Sequence, residues 1–259
     1  MFIDTHAHYD DERYDVDRQQ VLNDLPASGI GLIINAAQDL RTTRWNMETA
    51  AKYPYIYCTA GIHPHEAEKA TEEDYALLTK WSSPAFAKQN KIVAIGETGL
   101  DYYYDFSPRE IQKENFTRHI RIALENHLPL VVHDRDAHQD CLDLLVEEGA
   151  FDGKVVFHCY SGSLEFAQIL AEKGCYFSFG GAITFKNAKK FPEILRGIPE
   201  NRLMLETDCP YMTPEPHRGT RNTSAYIPLI AGKMAEILGK SLSDVEKLTT
   251  ANARDFFGI

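Results

Sequence analysis

The sequence predicts a single α/β domain over residues 1–259, a (β/α)8 TIM barrel with an extra helix at its carboxyl end. Three observations carry that expectation. Eight short β-branched or aromatic runs alternate with longer helical patterns, as a barrel of parallel strands requires. The 259 residues match the length of about 250 typical of this fold, and no Gly/Ser-rich linker divides them. A doubly wound open sheet also alternates strand and helix, but no Gly-x-Gly-x-x-Gly or Walker loop follows any strand.

Each element follows from its residues. Phe2 to Thr5 reads as the first strand. Val16 to Ala27 is amphipathic, with Val21, Leu22 and Leu25 on one face, and Ser28-Gly29 ends it. Gly31 to Ala36 is an apolar run broken only by Asn35, the mark of a parallel strand covered on both faces. Leu40 to Lys52 follows as a helix and Tyr55 to Ala60 as the third strand. Thr71 opens a helix to Trp81, with Glu72, Glu73 and Asp74 in its first turn. Ile92 to Gly96 is the fourth strand, and Pro108, after Ser107, starts a long helix to Asn126. Leu130 to His133 is the fifth strand and Ala137 to Glu148 its helix. Lys154 to Phe157 is the sixth, before a helix from Leu164 to Lys173 that Gly174 ends. Tyr176 to Phe179 is the seventh, before a helix from Ala188 to Arg196. Leu203 to Glu206 is the eighth, and a Pro-rich loop from Pro210 to Arg221 leads into two last helices, Tyr226 to Leu238 and Ser243 to Phe256.

Composition narrows the class. Hydrophobic residues at 44% and charged residues at 25% are ordinary for a globular protein. The net charge of −11 argues against binding DNA or membrane through global charge, though a metal and a basic rim reverse the sign of a single cleft. Five scattered cysteines without a Cys-x-x-Cys pair suggest reduced thiols. No basic region followed by an apolar run opens the chain, and no stretch nears the roughly 18 apolar residues of a membrane span. A cytoplasmic protein with no membrane partner is expected.

Barrel enzymes build their sites at the carboxyl ends of the strands, and metal-type side chains gather there. His6 and His8 stand two apart after the first strand, where extended backbone aims both imidazoles to one side. His63 and His65 follow the third strand and Glu97 the fourth. His133 ends the fifth, His158 the sixth, and Asp208 follows the eighth. Singly, each has an ordinary structural reading as a cap or a hydrogen-bonding group. Together they exceed the needs of one tetrahedral ion and suit two metals sharing a carboxylate.

The runs Asp4-Thr5-His6-Ala7-His8, Gly61-Ile62-His63-Pro64-His65, Gly96-Glu97-Thr98-Gly99-Leu100-Asp101, His133-Asp134-Arg135-Asp136-Ala137, His158-Cys159-Tyr160-Ser161-Gly162 and Glu206-Thr207-Asp208-Cys209-Pro210-Tyr211 stand in order along nearly the whole chain. With these runs the sequence resembles the TatD family of metal-dependent hydrolases, within the amidohydrolase superfamily of barrels. Thr98, Tyr160 and the Thr223-Ser224 pair depart from that family's usual residues, and none of them is a ligand position.

The resemblance implies a metal-dependent phosphodiester hydrolase, a deoxyribonuclease of 3′ to 5′ exonuclease type acting on single-stranded DNA. It assigns His6, His8 and Asp208 to one divalent metal, His133 and His158 to a second, and Glu97 as the bridge. Asp208 is then also the proton acceptor for the attacking water, and His63 the contact to phosphate or leaving group. His65 is a weaker contact, and Asp101 and Glu206 are outer residues that orient ligands or serve structure. Imidazoles with carboxylates suit Zn first, with Mn, Mg, Fe, Co or Ni as alternatives. Arg135, Lys186, His217, Arg218 and Arg221 lie in loops of the same barrel end, and Arg135, Arg218 and Arg221 are expected on phosphate. Tyr102, Tyr103 and Tyr104 either stack bases or pack. Two other functions fit the ligands: hydrolysis of an aminoacyl ester, lactone or amide at the same bimetal site, including D-aminoacyl-tRNA deacylation, or non-catalytic metal binding.

Overall fold

The computed structural model describes residues 1–259. Eight strands form one parallel sheet in sequence order: β1 (Phe2–Ala7), β2 (Ile30–Asn35), β3 (Ile56–Ala60), β4 (Ile92–Asp101), β5 (Leu130–Arg135), β6 (Val155–Phe157), β7 (Tyr176–Phe179) and β8 (Leu203–Leu205). Beyond β8 the chain returns to β1. An Ala7–Cys209 bridge, His8 N donating to the Cys209 carbonyl at 2.8 Å and Asp208 N donating to that of His6 at 2.9 Å join the two edges into a nearly closed barrel.

The helices are α1 (Arg18–Asp24), α2 (Leu40–Lys52), α3 (Glu72–Ser82), α4 (Pro84–Gln89), α5 (Arg109–Asn126), α6 (His138–Glu147), α7 (Leu164–Glu172), α8 (Phe191–Gly197), α9 (Ile227–Leu238) and α10 (Leu242–Phe257). Side-chain caps open α2, α3, α7 and α10. Thr71 and Asp74 form a reciprocal capping box on α3, and Asp39 with Thr42 does so on α2. The main core lies between sheet and helices. A smaller apolar cluster of Ile3, Ile34, Val93, Val131, Val156, Tyr176 and Met204 takes one residue from most strands and packs on Phe256 and Phe257 of α10. The extra carboxyl-terminal helix thus covers the amino end of the barrel.

Three elements differ from expectation. The helix predicted over Val16 to Ala27 is α1 followed by a 3-10 turn, Leu25–Ser28, because Pro26 has no N–H for the α-helical ladder. The helix predicted from Ala188 starts at Phe191, with Pro192 in its first turn. The fourth strand does not stop at Gly96: β4 runs on to Asp101, with a register shift against β5 between Ile95 and Thr98. Several short elements have no counterpart in the sequence reading, among them α4 and a 3-10 turn from Pro64 to Lys69.

Candidate metal centre

The first strand sets the centre. His6 lies in β1 and His8 one residue past its end, and their Nε2 atoms approach to 3.1 Å. Asp4, fully buried on the same strand, fixes where this pair sits. Its carboxylate accepts from Thr207 N at 2.9 Å, Thr207 Oγ1 at 2.6 Å and Ser224 Oγ at 2.6 Å, so β1 is locked to the segment that carries Asp208. Burial pushes the Asp4 carboxyl up to about 7, against these hydrogen bonds. Asp208 has φ 54°, a left-handed conformation that Asp tolerates better than most residues. Its Oδ1 lies 3.3 Å from His8 Nε2 and 4.0 Å from His6 Nε2.

Glu97 is the hub. Its placement depends on glycine: a Cβ on Gly96 would stand 2.6 Å from the Val131 carbonyl oxygen, and one on Gly99 2.0 Å from that of His133. Both take φ 138°, so the bulged strand lies against β5 with Glu97 turned into the barrel mouth. Glu97 Oε2 is 3.3 Å from His6 Nε2 and 3.6 Å from His8 Nε2. Glu97 Oε1 is 2.8 Å from His158 Nε2, 2.9 Å from His133 Nδ1 and 3.5 Å from His63 Nε2. Five imidazoles therefore face one carboxylate, all but His133 of them buried with it.

A second tier backs the hub. Asp101 Oδ2 is 3.0 Å from His133 Nε2 and 2.9 Å from His65 Nε2, so His65 reaches the centre through Asp101 and His133. Gln112 Oε1 accepts from Asp101 N at 2.8 Å and holds that end of β4. Glu206 is fully buried behind His158, with Oε1 3.6 Å from His158 Nδ1 and neither oxygen hydrogen-bonded. His63 caps the 3-10 turn after it, its Nδ1 accepting from His65 N at 3.1 Å.

These contacts separate the titrations. Burial alone would raise the Glu97 carboxyl, but His158, His63 and His6 outweigh it and hold it well below the usual carboxylate range. Asp208 is lowered in the same way, burial being overcome by its hydrogen bond to His8, and Asp101 by its bonds to His133 and His65. Burial lowers His63 to about 4 despite Glu97. His8 is raised to about 9, since Asp208 and Glu97 overcome its burial. Glu97, Asp208 and Asp101 stay charged here while His63 stays neutral.

Three groups have donor atoms within 4.8 Å of one another: His6, His8 and Glu97; His6, His158 and Glu206; His63, Glu97 and His133. The orphaned Nδ1 atoms of His6, His8 and His158 and both oxygens of Glu206 add buried polar atoms without protein partners. Such a donor set, imidazole nitrogen with carboxylate oxygen converging in a buried mouth, fits a divalent transition metal. Glu206, in one of these groups, is expected from sequence only as an outer residue that orients a ligand or serves structure. A polar cleft of about 560 Å³, lined by His8, Asp11, Arg13, Arg18 and Tyr211 among others, opens beside the centre.

The expected basic contacts divide. Arg135 lies over the rings of Tyr103 and Tyr104, 4.2 and 4.9 Å from their centroids. Arg218 is exposed and lies 3.9 Å over Phe185. His217 stacks on Tyr226 at 4.7 Å, and Lys186 is exposed in the loop after β7. Arg221 is held elsewhere: its guanidinium grips Asp17 at 2.6 and 2.7 Å and lies over Tyr14. That tether joins residues 204 apart in sequence and was invisible in it.

Comparison with known proteins is consistent across the chain. Residues 3–258 match the family model described as TatD related DNase. YabD of Bacillus subtilis, named an uncharacterized metal-dependent hydrolase, is 42% identical over 259 residues, covering all of both chains. A protein of Escherichia fergusonii named 3′-5′ ssDNA/RNA exonuclease TatD is 32% identical over 252 residues, covering 94% of each. The crystal structure of YjjV, a TatD homolog of Escherichia coli K12, superposes with a TM-score of 0.91 at 27% identity, over 100% of this chain and 98% of that one.

Proposed function

This chain belongs to the family of TatD-related DNases and is a metal-dependent hydrolase, and from that premise we propose that it cleaves phosphodiester bonds of nucleic acid, single-stranded DNA foremost, as a 3′ to 5′ exonuclease. The observation that carries the reading is the Glu97 hub, a carboxylate shared by five imidazoles with Asp208 at its edge. The name of the Escherichia fergusonii relative supports the choice of nucleic acid.

Two divalent metals are assigned to this mouth, Zn first and Mn, Mg, Fe, Co or Ni as alternatives. His6, His8 and Asp208 would hold one, His133 and His158 the other, with Glu97 shared. Metals bound there supply Lewis acidity, acidifying water and polarising a phosphoryl oxygen. The protein's own groups do the rest. Asp208, ionised at neutral pH and 18% exposed, is the acceptor for the proton of the attacking water. His63 is neutral, and because its Nδ1 accepts from His65 N, its proton sits on Nε2, inside the mouth. It is thus a donor to a phosphoryl oxygen or to the leaving group. Asp101 orients His133 and His65 as a positioning residue. Arg135 and Arg218 are the phosphate contacts of the rim.

No helix is long and apolar enough to cross a membrane, and all five cysteines are free. Reduced thiols accord with a cytoplasmic site of action. The decisive experiment gives the purified protein Mn, Mg or Zn and end-labelled single-stranded DNA beside a panel of esters and amides. Stepwise shortening from the 3′ end is expected. Turnover of esters or amides without cleavage of DNA or RNA under any of the three metals would reassign the protein to acyl hydrolysis.

A further inference from the structure

The run Tyr102-Tyr103-Tyr104 splits into two fates. Tyr102 is half-buried and committed: its hydroxyl donates to Asp140 at 2.6 Å and Arg109 lies 4.2 Å over its ring. Tyr103 and Tyr104 are 59% and 47% exposed, and Phe106, just beyond, is 64% exposed. Of ten exposed large hydrophobic residues in the chain these three share one loop of four positions, whereas the other seven are scattered. Exposed aromatic surface gathered at one point marks a place of contact.

The loop is built, not loose. Tyr103 N and Tyr104 N both donate to Asp101 Oδ1, at 3.1 and 2.9 Å, and the other oxygen of that carboxylate bonds His133 and His65. Tyr104 and Phe106 lie nearly parallel, centroids 5.3 Å apart and planes 26° apart, and His65 meets Phe106 edge-on at 4.8 Å. Arg135 spans Tyr103 and Tyr104. One carboxylate thus fixes both a metal-type imidazole and an aromatic surface bearing a cation.

We propose that Tyr103, Tyr104 and Phe106, with Arg135, form a stacking platform for an unpaired nucleobase flanking the scissile phosphate. Resting on the phosphodiester reading, the inference adds what holds the strand. Every base has a π face, so rings held in this way bind single strands without reading sequence, and the guanidinium pairs with the adjoining phosphate. A base inside a duplex has both faces covered by stacked neighbours and its edge paired, so the platform favours single strands.

The test uses metal-loaded protein carrying Asp208→Asn to prevent turnover. Affinity is measured by fluorescence anisotropy for a short oligodeoxynucleotide and for one of equal length with abasic sites at its last 3′ positions. The base-bearing strand should bind about tenfold more tightly, the order expected for one stacked base. Tyr103→Ala, Tyr104→Ala and Phe106→Ala combined should erase that preference, and Phe in place of both tyrosines with Phe106 kept should retain it. A preference unchanged in the alanine variant, or absent with the platform intact, overturns the proposal and leaves the phosphodiester reading standing. If protein with native Asp208 cleaves no nucleic acid under Mn, Mg or Zn, that reading fails and the platform with it.

Discussion

The two ends of the barrel interior are made from the same eight strands and treat buried atoms in opposite ways. At the amino end Ile3, Ile34, Val131, Val156 and Met204 meet Phe256 and Phe257 in an apolar plug with no group to satisfy. At the carboxyl end the same strands deliver His6, Glu97, His133 and, just past their strands, His158 and Glu206, and the Nδ1 atoms of His6 and His158 and both oxygens of Glu206 are buried with no protein partner. Buried polar groups of this kind, each worth about 1–3 kcal/mol if left unsatisfied, gather at the mouth and are absent from the plug. Stability and chemistry are therefore separated along one axis, as the architecture of barrels allows.

The sharpest way to break this division is to disable the mouth and watch the fold. Asp208→Asn keeps the side chain's shape but deletes the proposed proton acceptor and a negative charge beside His8. Turnover should fall by at least the 10²–10⁴, roughly, that general-base assistance supplies, and chelation should abolish it. Circular dichroism should stay native-like in both cases, because the proposed ligands stand at the rim of a barrel with its own core. Loss of far-UV signal on chelation would show that the mouth also carries the fold.

The converse change strikes the plug. Phe256 is 1% exposed, and truncating such a ring costs about 3–5 kcal/mol. Phe256→Ala should lower the denaturant midpoint accordingly, while kcat on DNA, measured well below the melting temperature, stays close to that of the unsubstituted enzyme. A matching fall in kcat would mean that the two ends are mechanically coupled.

The same contrast explains what was legible in sequence. The strands were visible as β-branched runs, because parallel strands covered on both faces are apolar throughout, whereas the seating of Phe256 and Phe257 on them was not. His6 and His8 were visible because period-two backbone aims them together. The length of β4 was not, since Gly96-Glu97-Thr98-Gly99 reads as a loop when it is a bulged strand with close backbone approach. Nor was the Asp4–Thr207–Ser224 link, which exists only once the barrel closes and brings together residues more than 200 apart. The tether of Arg221 to Asp17 was hidden for the same reason.

A histidine outside both ends tests how the mouth is supported from behind. His119 on α5 is fully buried; its Nε2 accepts from Ile62 N at 2.8 Å, next to His63, and its Nδ1–H donates to the Asn115 carbonyl at 2.7 Å. Burial lowers its pKa to about 4. Below the ordinary value the unfolded chain takes up a proton that the native state refuses, so stability falls as pH falls through that window. From about pH 7.5 to pH 5 this single group should remove about 2 kcal/mol. His119→Gln, which still offers an acceptor to Ile62 N, should lose about that much less than the unsubstituted protein over the same interval in urea titrations. Equal slopes would show that His119 is not the group responsible.

The smallest effect separates two arginines of one loop at the mouth's rim. Arg218 is exposed, with its guanidinium over Phe185, whereas Arg221 is paired with Asp17 and the Arg13 carbonyl. A phosphate must displace an existing charged partner to reach Arg221, but meets Arg218 free of any carboxylate. Each phosphate neutralised on a single strand contributes about −0.7 to the slope of log affinity against log salt. Arg218→Ala should therefore flatten that slope by about 0.7, while Arg221→Ala leaves it near its original value and instead lowers stability modestly by freeing Asp17 and uncovering Tyr14. The measurement is the salt dependence of single-stranded DNA binding in the Asp208→Asn background. Equal flattening by both substitutions would mean that the strand pulls Arg221 off Asp17, and that the rim rearranges around its substrate while the plug below it stays fixed.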